Sequence, residues 1–296
     1  MLLFLNRSFT GVVFLWHNAF MITIEDALAN NMEAFKAVSD TAHLDAELLI
    51  AHVTGLSRAA LFTHPEQALT EQQENHLKQL AERRLQNEPI AYITGYKEFW
   101  DLNLKVTPDV LIPRPETECL IEWILEHYTN DQKLKVADLG VGSGAIALSL
   151  AKERPNWIIH ATDYSRNALH IAKENAQKYR LANVYFFHGA WCNALPSNNY
   201  DIIVSNPPYI DSNDKHLKHL AFEPVDALDG GKHGLDAIKL IIDQAKNYLK
   251  KTGLLIFEHG YDQHEAIASF LKEAGYNSIE DHNDLANIPR YYTARY

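Results

Sequence analysis

Residues 136–151 read VADLGVGSGAIALSLA, and this stretch decides the fold class of the 296-residue chain. Its first four residues form a short apolar run typical of a buried strand, and the residues from Ala145 onward have the composition of a helix. Between them, glycines permit a sharp turn and let the backbone approach a ligand, while the helix start offers free N–H donors. The stretch therefore predicts a strand, a ligand-binding turn and a helix.

Apolar runs of strand length alternate with helical segments after this stretch. The predicted strands are Val136–Leu139, Trp157–Thr162, Val184–His188, Asp201–Ser205 and Gly253–Glu258, and the predicted helices are Ala145–Lys152, Arg166–Tyr179 and Leu235–Leu249. Such alternation is typical of a parallel sheet with helices on both faces, whose ligands bind beyond the carboxyl ends of the strands. We therefore expect an α/β, Rossmann-like domain over residues 116–296.

The chain before this domain has a different pattern. Residues 21–88 carry apolar residues at helical spacing, and Thr70 begins a T-x-x-Q capping box, so we expect a small α-helical domain there. Residues 89–115 follow as a hairpin and linker, because apolar residues alternate across 99–106 and prolines interrupt the chain near the end of the segment.

Composition excludes several classes of protein. The net charge of -11 disfavours a long track of phosphate contacts, so no direct contact with nucleic acid is expected. Cys119 and Cys192 lack the spacing of a metal site or a disulfide framework, so we expect no metal and a cytoplasmic protein. Residues 1–20 are apolar, but Asn6 and Arg7 interrupt the run and no cleavage site follows. We expect a loose tail or an upstream start there, and no membrane anchor.

Two further features join the glycine turn in a predicted cofactor site. The turn consists of Gly140, Val141, Gly142, Ser143 and Gly144. Its pattern fits the G-x-G-x-G of methyltransferases, the G-x-G-x-x-A of dinucleotide-binding proteins, or a turn without a ligand. Asp163 ends the next strand, where a carboxylate can accept from both hydroxyls of a ribose or cap the following helix. Trp191 follows a later strand, where its ring can pack on an adenine or complete the core.

The motif Asn206-Pro207-Pro208-Tyr209 directly follows an apolar strand and supplies the predicted catalytic residues, of which Asn206 is also expected to adjoin the cofactor. Two prolines after a strand hold the backbone extended and keep Asn206 in place. An amide or amino NH2 group has two donors, and the side-chain oxygen of Asn206 and the carbonyl of Pro207 can accept one each. That arrangement fixes a planar nitrogen for methyl transfer, while Tyr209 packs against the flat group. The alternative is a rigid turn without a function.

Six segments together resemble a known family. They are LIPRPETE (111–118), DLGVGSGAIALSLA (138–151), ATD (161–163), SNPPYI (205–210), FEP (222–224) and FEHG (257–260). In this combination the chain resembles, from about residue 21 onward, the release-factor glutamine methyltransferases of the PrmC/HemK family. The resemblance implies a class I methyltransferase domain that uses S-adenosyl-L-methionine, preceded by a helical domain that docks the substrate. The implied reaction is N5-methylation of the glutamine in the GGQ motif of class 1 peptide chain release factors.

The resemblance also assigns roles to residues. It places Gly140, Gly142, Gly144, Asp163 and Trp191 at the cofactor, and Asn206, Pro207 and Tyr209 at the glutamine. Four residues depart from the usual pattern of the family: Val141 instead of Thr, Ala190 instead of Asp, Ala221 instead of Arg, and His233 instead of an acidic or amide residue. These differences bear on cofactor affinity and on the substrate loop more than on the reaction type.

Three other functions are compatible with parts of the pattern. An adenine-N6 or other amino-methyltransferase of nucleic acid would share NPPY, but the chain has few positive charges and no separate basic domain. A nucleotide-dependent oxidoreductase would share the glycine turn but would have no use for NPPY. A catalytically silent, partner-binding domain would show damage at Asn206 or at the glycine turn, and both are intact.

Overall fold

The computed structural model describes residues 21–296, with the backbone alone for residues 216, 218 and 219. The described residues form two compact units, which divide between Thr94 and Gly95. The tail predicted at residues 1–20 lies outside the described residues. Among the helices that the structure describes, none combines the length and the apolar character needed to cross a membrane.

The first unit is helical, as its apolar spacing predicts. Its helices are α1 (Ile24–Phe35), α2 (Ala42–Thr54), α3 (Arg58–Thr63), α4 (Glu71–Leu85) and α5 (Ile90–Thr94). The predicted capping box begins α4: Thr70 Oγ1 accepts from the backbone N–H of Gln73 at 3.3 Å, and the Gln73 side chain accepts from the N–H of Thr70 at 2.9 Å. Buried apolar residues from all five helices, among them Leu49 and Leu77, pack into one cluster.

The second unit, Gly95–Tyr296, has the predicted Rossmann-like α/β fold. Its strands are β1 (Tyr96–Phe99), β2 (Leu102–Lys105), β3 (Lys135–Leu139), β4 (Ile158–Asp163), β5 (Val184–His188), β6 (Tyr200–Ser205), β7 (Leu249–Glu258), β8 (Asn277–Asn283) and β9 (Pro289–Arg295). Its helices are α6 (Glu118–His127), α7 (Ala145–Glu153), α8 (Arg166–Lys178), α9 (Asp236–Ala245) and α10 (His264–Glu273). Strands β1 and β2 pair as the predicted hairpin.

Seven strands form the central sheet, in the order β5-β4-β3-β6-β7-β9-β8. Strands β3 to β7 run parallel, but β9 pairs antiparallel with β7, and β8 pairs antiparallel with β9. The prediction of a parallel sheet was therefore wrong at this edge, where β8, β9 and α10 were missed. Most side chains of β8 are exposed at the sheet edge, so the strand lacks the apolar alternation by which strands are detected.

The strand order creates a crevice for a ligand. The chain runs outward from β3 through β4 to β5 and then returns to β6 on the other side of β3. Ligands of such sheets bind at the carboxyl ends of the strands where the order reverses. Buried apolar layers cover both faces: Val136 and Ile202 face one layer, while Ala137 and Ile203 face the other.

Candidate active site

A cavity of about 490 Å³ opens at the carboxyl ends of β3, β4 and β6. Its lining includes seven residues of the predicted cofactor site: Gly140, Val141, Gly142, Ser143, Asp163, Trp191 and Asn206. Of the predicted catalytic residues, Asn206 and Pro208 line it. Gly144, Pro207 and Tyr209 lie outside the lining.

The glycine turn is fixed by its own backbone. The N–H groups of Gly140 and Val141 both donate to the carbonyl of Thr162 at 2.9 Å, which ties the turn to the end of β4. Gly144 precedes α7 with a φ of 95°, and a Cβ there would lie 2.7 Å from the side chain of Leu148. Gly144 therefore sets the backbone conformation at the start of α7 and does not itself line the cavity.

Asp163 holds the turn from the other side. Its Oδ2 accepts from the backbone N–H of Gly142 at 2.9 Å, and its Oδ1 accepts from that of Ser165 at 2.8 Å. Burial raises the pKa of Asp163, and these two hydrogen bonds oppose the shift. The alternative role as the cap of α8 is wrong, because Ser165 caps that helix through the N–H of Ala168.

Trp191 lies between the cavity and the core. It begins a short 3-10 turn at residues 191–194, with a φ of 49°, and it lines the cavity. Its ring lies so close to Gly140 that a Cβ on that glycine would be 3.4 Å away. The ring is only partly buried and also packs against one apolar layer of the core. It can therefore complete the core and present a surface to a flat base.

Asp138 is a member of the site that sequence reasoning missed. It is buried at the carboxyl end of β3 and lines the cavity. Its Oδ2 accepts from the N–H of Ala147 at 3.0 Å, and its Oδ1 has no hydrogen-bond partner among the described residues. Burial raises the pKa of this carboxyl group to about 7. An acidic residue inside an otherwise apolar strand was the available signal.

The NPPY motif is held in place by hydrogen bonds that the side chains of Asn206 and Tyr209 donate. Asn206 Nδ2 donates to Thr117 Oγ1 at 3.0 Å, and the Thr117 hydroxyl donates to Glu258 Oε2 at 2.6 Å. The Tyr209 hydroxyl donates to Glu258 Oε1 at 2.8 Å, so one carboxyl group holds both ends of the motif. Burial raises the pKa of Tyr209, which keeps its hydroxyl protonated. Nothing in the sequence around Thr117 or Glu258 predicts these contacts with the NPPY motif.

The backbone of the motif is covered by the turn at residues 230–234. A Cβ on Gly230 would lie 2.6 Å from the carbonyl oxygen of Pro208, and one on Gly234 would lie 1.9 Å from that of Tyr209. The N–H of Gly230 also donates to the carbonyl of Ile210 at 2.9 Å. Glycine is therefore required at both positions by contact with the motif.

An ion pair joins two loops at the cavity wall. The guanidinium of Arg114, which lines the cavity, donates to Glu223, and the N–H of Ile112 donates to the same carboxylate at 3.1 Å. Glu223 is buried, so the pair is shielded from solvent on the Glu223 side. The segment before α6 and the segment around Phe222 are thereby held together.

The strand order and the position of the cavity are those of a Rossmann-like ligand-binding domain. The family model described as "Methyltransferase small domain" matches residues 117–223. A methyltransferase structure from Pyrococcus furiosus is 19% identical with a TM-score of 0.51, covering 72% of this chain and 95% of that one. The hMettl16 catalytic domain, solved with the MAT2A 3'UTR hairpin 6, is 15% identical with a TM-score of 0.55, covering 76% of this chain and 81% of that one. These two likenesses concern the fold.

The family follows from closer relatives. The model described as "PrmC N-terminal domain" matches residues 26–95. The release factor glutamine methyltransferase of Coxiella burnetii is 53% identical over 275 residues, which cover 93% of this chain and 99% of that protein. The enzyme of the same name from Escherichia coli is 42% identical over 260 residues, covering 87% and 94%. The chain belongs to the release factor glutamine methyltransferase family.

Proposed function

We propose that the protein transfers a methyl group from S-adenosyl-L-methionine to N5 of the glutamine in the GGQ motif of class 1 peptide chain release factors. One observation carries the proposal beyond the family relationship. The NH2 end of the Asn206 amide is bonded to Thr117, so its oxygen is available at the cavity that the glycine turn also lines. That is the arrangement needed to receive an amide N–H beside a methyl donor.

The cavity fits the proposed cofactor. Both carboxylate oxygens of Asp163 accept one hydrogen bond and retain a lone pair for a ribose hydroxyl. Trp191 would pack on the adenine, and Asp138 would face a positively charged group of the cofactor with its unpartnered oxygen. The backbone of Gly140, Val141, Gly142 and Ser143 would adjoin the cofactor. When bound, the cofactor supplies an electrophilic methyl group on a sulfonium.

The residues of the motif would prepare the glutamine nitrogen. An amide nitrogen is a poor nucleophile because resonance ties up its lone pair. If its two N–H groups donate hydrogen bonds to the oxygen of Asn206 and the carbonyl of Pro207, the nitrogen would be oriented and would regain electron density. Tyr209 would pack against the amide plane, and Pro208 would keep the backbone rigid. The new N–C bond would form as the bond between the methyl carbon and the sulfonium sulfur breaks, which leaves a neutral thioether, and the nitrogen would then lose one N–H proton to solvent.

The substrate of the proposed reaction is a protein. We propose that the helical first unit docks the release factor and that the reaction takes place in the cytoplasm, where peptide chains are terminated. No direct contact with nucleic acid is part of this proposal. The net charge of -11 supports a protein partner over a phosphate backbone.

The test is a methylation assay with radiolabelled S-adenosyl-L-methionine. Purified release factor should be labelled, and a release factor with the GGQ glutamine changed to Ala should remain unlabelled. Label on both proteins would contradict the glutamine assignment, and label on DNA or RNA alone would favour the amino-methyltransferase of nucleic acid. Asn206→Ala should abolish turnover while the enzyme retains most of its affinity for the cofactor, as measured by calorimetry.

A further inference from the structure

A chain of hydrogen bonds behind the NPPY motif ends on one buried carboxyl group. It runs from Asn206 Nδ2 to Thr117 Oγ1 (3.0 Å) and from Thr117 Oγ1 to Glu258 Oε2 (2.6 Å), and Tyr209 joins at Glu258 Oε1 (2.8 Å). Thr117 is 3% exposed and Glu258 is 1% exposed. Building on the proposed function, we propose that Glu258 and Thr117 are positioning residues that decide which end of the Asn206 amide faces the substrate.

The carboxylate sets the direction of this chain, because it accepts hydrogen bonds and donates none. Thr117 has a single hydroxyl proton, which it donates in the hydrogen bond to Glu258. The oxygen of Thr117 can then only accept, so the end of the Asn206 amide that faces it is the NH2 end. The amide oxygen is left for a donor in the cavity, which Asn206 lines.

Shape alone does not select this orientation. The oxygen and the NH2 group of an asparagine are nearly equal in size, so the amide fits equally well when turned by half a rotation. In the turned state an NH2 group would meet the NH2 group of the substrate, donor against donor. The hydrogen bond to Thr117 distinguishes the two states, and Glu258 distinguishes them through Thr117.

The same carboxylate also orients Tyr209. Its second oxygen accepts a hydrogen bond from the phenolic hydroxyl, which fixes the ring at the other end of the motif. Thr117 lies just before α6, and Glu258 is the last residue of β7. The chain of hydrogen bonds therefore connects these two elements to the loop after β6, which carries the NPPY motif. Glu258 thus orients both Asn206, which would accept from the substrate amide, and Tyr209, which would pack against it.

Glu258→Gln is the sharpest test because it keeps the shape and changes the polarity. Glutamine offers one acceptor and one donor where Glu258 offers two acceptors, so it can accept from only one of Thr117 and Tyr209. With its NH2 group toward Thr117, the Thr117 hydroxyl donates to the oxygen of Asn206 and the amide is held the wrong way round. With its NH2 group toward Tyr209, the Tyr209 hydroxyl loses its acceptor. We expect kcat for release-factor methylation to fall about 10- to 100-fold. The KM for the release factor and the Kd for S-adenosyl-L-methionine should stay near their wild-type values, a split that a general loss of structure would not produce.

A series at Thr117 provides the second measurement. Thr117→Val has the same shape without the hydroxyl, and kcat should fall to a similar extent. Thr117→Ser retains the hydroxyl and should keep most of the activity. Thr293→Val is the matched control, since it removes a buried hydroxyl from β9 of the same sheet that bonds to His282 instead. Its kcat should equal that of the wild type.

The outcomes separate this inference from the proposed function. Wild-type kcat in Glu258→Gln or in Thr117→Val would overturn the positioning role. Thr117→Ser that binds the cofactor normally but is as slow as Thr117→Val would overturn it as well, because the hydroxyl would then not be the acting group. A wild-type enzyme that labels no release factor would overturn the proposed function.

Discussion

The backbone N–H of Gly142 donates to Oδ2 of Asp163 over 2.9 Å, which joins the turn after β3 to the end of β4. Through this bond the carboxylate organises the glycine turn. The other oxygen accepts from Ser165, and each oxygen keeps a free lone pair. The same two atoms therefore shape the pocket and are available to its ligand.

Asp163→Ala should weaken the binding of S-adenosyl-L-methionine about 10- to 100-fold, as expected for the loss of hydrogen bonds to a charged acceptor. Asp163→Asn should have a smaller effect, since its amide oxygen can still accept from Gly142. Titration calorimetry measures both affinities. An unchanged Kd in a folded Asp163→Ala enzyme would show that the ribose lies elsewhere.

Gly144→Ala should destabilise the protein more than Gly275→Ala. Both glycines have a left-handed φ (95° and 90°), but a Cβ at Gly144 would meet Leu148 at 2.7 Å, whereas nothing lies within 4 Å at Gly275. We expect a loss of about 1–2 kcal/mol in the free energy of unfolding from the backbone alone, and about 1–3 kcal/mol more at Gly144 from the contact. Urea denaturation measures the difference. Equal losses in the free energy of unfolding would mean that α7 shifts to relieve the contact at no cost in free energy.

Asp138→Asn should remove a pH dependence of stability. The folded state raises the pKa of Asp138 from 3.8 to about 7, so the folded protein binds this proton more tightly than the unfolded chain. The free energy of unfolding without cofactor should therefore fall as the pH rises between these values, by at most about 4 kcal/mol. Relative to the wild type, the variant should gain stability from pH 5 to pH 8 and should bind the cofactor more weakly. Parallel stability profiles would contradict this account.

We expect the fall of kcat at low pH to follow the protonation of Glu258. Burial raises its pKa above the usual value, while the bonds from Thr117 and Tyr209 and the charge of Arg290 oppose the shift and Glu116 adds to it. As the pH falls through this pKa, the group gains a proton that it can donate, and the direction of the hydrogen bonds is no longer fixed. We expect kcat to fall at higher pH than for an ordinary glutamate.

The pH profile requires two controls. Saturating cofactor removes the contribution of Asp138 to binding. Glu258→Gln cannot titrate at this position, so its lower kcat should lack the fall at low pH. If the fall of kcat at low pH persists unchanged in Glu258→Gln, another group is responsible for it.

Local patterns were sufficient to predict most of the fold and part of the site. The glycine turn, Asp163 and the NPPY motif each sit at the end of an apolar strand, and parallel pairing brings strand ends together at one edge of the sheet. That reasoning needs only the order of elements along the chain. It placed most of the predicted site residues around one cavity.

The missed features depend on contacts between distant segments. Thr117 lies 89 residues from Asn206 and 141 from Glu258 along the chain, and no local pattern says that these three side chains meet. Strands β8 and β9 were missed for a related reason. The exposed side chains of β8 follow no apolar period, and its pairing is specified by β9.

The contact of Gly230 and Gly234 with the NPPY backbone has a consequence for protein engineering. The NPPY motif and the turn at residues 230–234 are separated in sequence, but they pack against each other along the carbonyls of Pro208 and Tyr209. Transplanting NPPY alone onto another scaffold would leave those carbonyls without their cover. A successful graft has to carry both segments, at their original spacing, together with the glycines that let them touch.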